Sequence, residues 1–187
     1  MKVGILHEFS ARVREEFRKR GHDAVLCDLI DSEIPGPHIK GDCLAQDWSG
    51  FDLLICHPPC TYLCNSGVRW LHEQAGRWEL MRAAAEHFNA VLALPVDAIV
   101  VENSIMHRHA RALITRPYDQ IIQPWQYGEP ETKATCLWLK EVPPLVPTRI
   151  MAERKARAHR ESPGPDRWKR RSRTPIGVAR AMAEQWG

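Results

Sequence analysis

The hexapeptide Phe51-Asp52-Leu53-Leu54-Ile55-Cys56 runs directly into His57-Pro58-Pro59-Cys60-Thr61. An apolar run this short, closed by turn residues, reads as a buried strand. Two consecutive prolines end it, because proline offers no N–H to a ladder and fixes its own φ. The layout recurs along the chain. Val3 to Leu6 passes into His7-Glu8, Ala24 to Cys27 ends at Asp28, and Ala98 to Val101 passes into Glu102-Asn103. Between such runs lie helical patterns, the longest from Arg77 to Leu94 through Trp78, Met81, Ala85, Phe88 and Leu92. Strands alternating with helices at this spacing predict parallel βαβ units, hence an α/β fold with a doubly wound, mostly parallel sheet.

The remaining elements follow from local signals. Ser10 is placed to cap a helix in which Val13 and Phe17 share a face while Arg12, Arg14, Glu15, Glu16 and Arg18 point outward; Gly21 stops it. Asp31 to Pro37 is a loop, and His38 to Cys43 a short extended piece ending near Asp42. Ile105 to Ile114 is expected to be helical, Gln120 to Gln123 and Thr135 to Leu139 are strands, and Ile176 to Trp186 is a terminal amphipathic helix. No internal repeat is visible. Ligands of doubly wound sheets gather at the carboxyl ends of the strands. Glu8, Asp28, Asp42, Cys60 and Glu102 all fall at or just beyond predicted strand ends, which makes that rim the candidate site.

Composition sets the outer bounds. With 187 residues, 44% of them apolar, one compact domain with a full core is expected. No apolar stretch approaches the roughly 20 residues that span a bilayer, and the start turns polar too soon for a signal peptide. A cytoplasmic protein with six reduced cysteines is expected. Charge is uneven: from 149 to 187 there are 11 Lys/Arg against 4 Asp/Glu, leaving 15 basic and 19 acidic residues over 1–148. This divides the chain into a catalytic part, 1–148, and a basic segment, 149–187, whose closing helix packs on the same domain. That segment is either an electrostatic footprint for phosphates or a solvated tail.

A cysteine attacks as thiolate, so its surroundings must favour the anion. Behind two prolines, Cys60 must draw on later amides or on a nearby cation, for which Arg69 is a candidate. Cys27, Cys56 and Cys136 sit inside strands as small buried hydrophobes; Cys43 and Cys64 remain open. Cys56, His57, Cys60 and Cys64 lie close together, but the spacing lacks the paired knuckle of zinc sites and Cys56 points into the core, so no metal is expected. His107 and His109 read as surface histidines. Glu102 ends an apolar strand, and burial there should raise its pKa, which suits proton sharing with a ring nitrogen. The alternative is a carboxylate that accepts backbone N–H groups at the next helix start.

These residues resemble the S-adenosylmethionine-dependent cytosine carbon-5 DNA methyltransferases, especially the compact variants encoded by bacteriophages. In that family a Pro-Cys turn carries the nucleophile and a Glu-Asn turn the base-recognising glutamate, and Pro59-Cys60 and Glu102-Asn103 match in order. The resemblance implies a Rossmann-like methyltransferase fold, S-adenosylmethionine as cofactor, and cytosine-containing DNA, flipped or single-stranded, as partner in the cytoplasm of a bacterial host. It assigns Glu8, Phe9, Ser10, Asp28, Asp42, Pro59 and Thr174 to the cofactor. Asn65, Arg69, Asn103 and Lys133 would hold the base or its phosphate. The sequence departs from the family in three places. The glycine-rich cofactor loop is reduced to Phe9-Ser10-Ala11-Arg12-Val13, without glycine. The arginine strand that holds the ring is reduced to Glu131-Thr132-Lys133-Ala134-Thr135. Fewer than 40 residues separate that strand from the closing motif at Thr174, so most of the target-recognition domain is missing. Two alternatives share the same residues: an enzyme using the Cys/Glu pair on a pyrimidine mononucleotide, and a non-catalytic nucleic-acid-binding protein.

Overall fold

In the computed structural model, residues 1–187 are described, except for the side chains of residues 158 and 159. The strands among the described residues are β1 Lys2–Leu6, β2 Asp23–Asp28, β3 His38–Lys40, β4 Leu53–Cys56, β5 Ala98–Ser104, β6 Gln120–Ile122 and β7 Thr135–Lys140. They form one sheet in the order β3-β2-β1-β4-β5-β7-β6. β1 to β5 run parallel, while β7 is antiparallel to both β5 and β6. The helices are α1 Arg12–Arg18, α2 Trp70–Glu73, α3 Arg77–Leu92, α4 Arg108–Arg111, α5 Arg157–Arg160, α6 Arg167–Ser172 and α7 Ile176–Gln185. None of the helices of the described residues is long and apolar enough to cross a membrane.

Period-two alternation splits the core between the two sheet faces. Leu54 and Cys56 of β4 pack with Leu6, Val101 and Trp138 against Met81, Ala85 and Phe88 of α3. Leu53 and Ile55 point the other way, with Val3, Ile5 and Val100, onto Val13 and Phe17 of α1 and Val178, Ala179 and Met182 of α7. The C-terminal helix therefore belongs to the core that covers the central strands. The chain builds β1, β2 and β3 outward in one direction, then crosses back to lay β4 on the other side of β1. This makes the carboxyl ends of β1 and β4 the topological switch point, where such sheets open a crevice.

Several local expectations are corrected. Ser10 does not cap α1. Ala11 occupies the cap position in a left-handed conformation, φ 56°, and the Glu8 carboxylate accepts the N–H groups of Arg12 (3.2 Å) and Val13 (3.4 Å). A carboxylate does this job well, because it meets unpaired N–H groups and the positive end of the helix together. Ser10 instead hydrogen-bonds Glu8. Arg14 and Glu16 are buried rather than exposed. The Arg14 guanidinium donates to the carbonyls of Ile34, Pro35 and Pro37, clamping the 31–37 loop. Glu16 pairs with Lys19, Arg20 and Arg180, joining α1 to α7. Residues 105–114 yield only the short α4. β5 runs on to Ser104, Met106 bridges to Cys64, and His107 caps the helix by accepting the Ala110 N–H at 3.0 Å. His107 is accordingly buried, not a surface histidine.

Candidate active site

The parallel register of β4 on β5 determines the site. Cys56 lies opposite Val101, so the next residue on each strand, His57 and Glu102, emerge side by side. β5 does not end at Glu102. Pairing with β7 continues to Ser104 opposite Thr135, which fixes the backbone on both sides of the carboxylate. Asn103, 1% exposed, donates its amide N–H to the Pro58 carbonyl at 2.8 Å. This bond ties the Pro-Pro-Cys turn to the strand that carries Glu102. Asn103 thus supports the turn from beneath and does not face a pocket. Pro59 is exposed on the turn, and Cys60 beyond it is half-buried.

The Cys60 carbonyl accepts the N–H groups of Leu63 (3.0 Å) and Cys64 (2.9 Å), closing one helical turn. Residues four apart on such a turn face the same way, so the two thiols meet. Their hydrogen bond, together with burial and the negative charge of Glu102, holds the Cys60 thiol far above the usual cysteine range. The same bond pulls Cys64 down to about 5, helped by the Ser66 hydroxyl at 3.2 Å, the Gly67 N–H and the charge of Arg171. The shared hydrogen bond therefore favours the anion on Cys64 and the proton on Cys60. The cation that reaches the thiols is Arg171 of α6. Arg69 is exposed and stacks on Trp70 at 4.3 Å, and Asn65 lies exposed at the next turn, its N–H donated to Ile105.

Glu102 also differs from expectation. Burial raises its pKa, but the hydrogen bond from His57 Nδ1 at 3.3 Å, the charge of Lys133 and the Thr135 hydroxyl outweigh it and hold the carboxyl below its ordinary value. Glu102, Lys133, Thr135, Ser172, Thr174 and Pro175 line a small cavity of about 20 Å³ that is closed on one side by α7. Three residues expected at the site from distant parts of the sequence, Glu102, Lys133 and Thr174, thus come to one place.

Around the crevice, Asp28 is half-buried beyond β2 and accepts the Ile30 N–H at 3.3 Å; burial raises its pKa. Asp42 accepts the Leu44 N–H at 2.9 Å. Glu8 is buried and raised by that burial, although the His57 charge and its own hydrogen bonds oppose the rise. The Phe9 ring packs against Trp168 of α6, centroids 5.2 Å apart. Arg12 donates to the Thr174 carbonyl at 2.8 Å, and Arg173 pairs with Glu33 at 2.6 Å. The basic segment therefore lies folded against the β1–α1 loop, and a freely solvated tail is not what the structure contains. No group of three or more His, Cys, Asp or Glu side chains among the described residues is arranged to hold a metal ion.

Two residues of this site were not identified as functional from sequence. From sequence alone, His57 reads only as a candidate metal ligand. Its signal is its offset: one residue past β4, it pairs by register with the residue one past Val101. For Cys64 the signal is its spacing of four from Cys60, the spacing of one helical turn.

No family model matches the chain, and no curated protein matches it by sequence. Among solved structures it is similar to a protein described as a DNA modification methyltransferase encoded within an E. coli prophage. That likeness has a TM-score of 0.51 and 15% identity, covering 81% of this chain and 52% of the other. The methyltransferase EhMeth of Entamoeba histolytica aligns at TM-score 0.43 and 14% identity, over 88% of this chain and 61% of its own. The chain thus spans about half the length of the first of these structures. The likeness establishes the fold: a seven-stranded, mostly parallel sheet with helices on both faces, of the Rossmann-like methyltransferase kind.

Proposed function

We propose that this chain is a methyltransferase that modifies carbon 5 of cytosine in DNA through a covalent adduct of Cys60, with S-adenosylmethionine as methyl donor. The observation that carries the reading is the Asn103–Pro58 bond: it couples a thiol-bearing turn to the adjacent strand that bears a half-buried, cation-flanked carboxylate. The crevice residues fit the donor. Asp28 and Asp42 stand beyond neighbouring strands as acceptors for ribose hydroxyls and an exocyclic amine. Two buried imidazole nitrogens there, His7 Nδ1 and His57 Nε2, have no partner within the chain. Glu8 and Ser10 are engaged in the start of α1, so the donor falls to Asp28, Asp42 and the wall formed by Phe9. The donor supplies an electrophilic methyl group when bound.

The protein's own steps follow from the geometry. The Cys64 thiolate takes the proton of Cys60 as Cys60 sulfur bonds carbon 6 of the ring. The carbon 5–carbon 6 pair moves toward carbon 4, and ring nitrogen 3 takes a proton that the Glu102 carboxylate has first drawn from solvent. Lys133, across the cavity from Glu102, offsets the charge left on the carboxylate. After carbon 5 is substituted, its proton passes to solvent as Cys60 is expelled, ring nitrogen 3 returns its proton to Glu102, and Cys60 recovers its hydrogen from Cys64. A base inside a duplex must leave the stack to reach such a site, so single strands are the easier substrate. The test is methyl transfer from labelled S-adenosylmethionine to duplex DNA, single-stranded DNA, RNA and dCTP, with 5-fluorocytosine DNA as a trap. Transfer to DNA and a trapped adduct that Cys60→Ser abolishes are expected. Transfer only to dCTP, or trapping that survives in the variant, overturns the reading.

A further inference from the structure

The molecule holds one buried side chain beside the proposed acid that the mechanism above leaves unused. His57 is 9% exposed and Glu102 21% exposed, and His57 Nδ1 lies 3.3 Å from Glu102 Oε2. The main chain of His57 is fixed just past β4 by donation of its N–H to the Leu6 carbonyl at 2.9 Å, which sets the ring beside Glu102 of β5. Its Nε2 is buried without a partner in the chain. Charged and titratable groups face it from each neighbouring element: Glu8 from the β1–α1 loop, Asp28 from the end of β2, and Glu102 from β5, with Lys133 and Thr135 on the far side of that carboxylate.

A neutral imidazole has one donor nitrogen and one acceptor. An ionised carboxylate only accepts, so the nitrogen facing Glu102 is the donor, and Nε2 is left as a lone pair. A hydrogen bond accepted at Oε2 has a consequence for the neutral acid as well. The carboxyl proton is driven onto Oε1, the oxygen not engaged by His57. When that proton passes to a ring nitrogen, negative charge appears on the carboxylate, and the Nδ1–H is already aimed at it.

We propose that His57 is a positioning residue acting through Glu102: its Nδ1–H directs the carboxyl proton to Oε1, toward the base, and stabilises the carboxylate formed when the proton leaves. The assignment rests on the cytosine reading given above. No bond to His57 forms or breaks. The proton moves from Oε1 to ring nitrogen 3 and returns when Cys60 is expelled.

The experiment needs no methyl donor. Reversible addition of Cys60 to carbon 6 makes the carbon 5 hydrogen exchange with deuterium in D2O, read by proton NMR on a cytosine-containing single-stranded oligonucleotide. His57→Ala is expected to slow exchange about 100-fold, the scale of a lost general-acid contribution, with little change in oligonucleotide affinity. The alkaline limb of its pH–rate profile should move to higher pH, because Glu102 loses the donor that favours its charged form. His57→Asn, which can still donate to Oε2, should recover to within roughly tenfold of the wild type. Imidazole nitrogen NMR of the free protein should show the Nδ1–H form at His57. Exchange by His57→Ala at the wild-type rate with an unmoved limb overturns the proposal, as does an Nε2–H form in the free wild-type protein. If wild-type protein exchanges no carbon 5 hydrogen at all, it is the cytosine reading that falls. The nitrogen spectrum still tests the His57–Glu102 pair.

Discussion

Gly177 sits in the first turn of α7, where the helix meets the backbone that follows Pro124–Gln126. A Cβ added there would lie 1.9 Å from the Tyr127 carbonyl oxygen and 2.9 Å from its carbon. Carbon and oxygen tolerate an approach of about 3.3 Å, so Gly177→Ala requires roughly 1.4 Å of separation between the two segments. Neither can give easily. Tyr127 is buried, with its hydroxyl donated to the Leu145 carbonyl at 3.1 Å. α7 is anchored by Val178, Ala179, Ala181, Met182 and Ala183 in the core, and the Gly177 N–H donates to Glu129 at 2.8 Å. Overpacking of this kind costs about 1–3 kcal/mol and more against rigid backbone. The helix propensity of alanine over glycine returns at most about 1 kcal/mol. A net loss of about 2 kcal/mol follows, which in a chain of this size lowers Tm by roughly 4–8 °C. Urea unfolding and a thermal melt of Gly177→Ala measure it, with Gly50→Ala as control, since only the Lys2 Nζ lies near that position, at 4.0 Å. Equal or greater stability of Gly177→Ala would refute the account of how α7 is seated.

Other outcomes follow from the same geometry. At about pH 6, iodoacetamide should label the Cys60–Cys64 turn, because the pair holds a thiolate there, while the buried Cys27, Cys43, Cys56 and Cys136 stay unmodified in the folded protein; Cys64→Ser should suppress that labelling. Mass mapping that finds the label on a buried cysteine contradicts this. Arg14→Met should cost about 2–4 kcal/mol in urea unfolding, since three loop carbonyls lose a charged donor. For Glu16, burial is outweighed by Lys19, Arg180 and Arg20, and its folded pKa is lowered. Its contribution is therefore full above the unfolded carboxyl value and lost as pH falls through the folded one. The wild type should exceed Glu16→Gln in urea midpoint at about pH 7, and the gap should close toward about pH 3.

The sequence made the sheet readable because each strand is a short apolar run with a polar stop. Phe51 to Cys56, Ala98 to Val101 and Thr135 to Leu139 lie where the alternation of Leu53 and Ile55 against Leu54 and Cys56 needs two covered faces. Local signals failed where a distant partner decided the outcome. Ser10 is a good cap by composition, yet Glu8 reaches the same N–H groups from a turn that only the β1–α1 junction makes. Arg14 reads as exposed on a helical wheel, but a loop 20 residues on brings carbonyls to it. Glu102 was expected to be raised by burial alone. The imidazole that reverses the sign comes from another strand, 45 residues earlier in sequence, and only the register of β4 on β5 brings it there.

The bond from Arg12 to the Thr174 carbonyl spans 162 positions of chain, and the Phe9–Trp168 contact is nearly as long. Vectorial synthesis gives these contacts a meaning in time. β1, the innermost strand of its half of the sheet, leaves the ribosome before the other strands of the sheet, while α7, which covers it, is made more than 160 residues later. Until then the apolar faces of Val3 and Ile5 lack that cover, and the cavity beside Glu102 lacks its α7 wall. A nascent chain therefore cannot assemble the site piecemeal, and this fold should depend on chaperone shielding during translation until α7 has emerged.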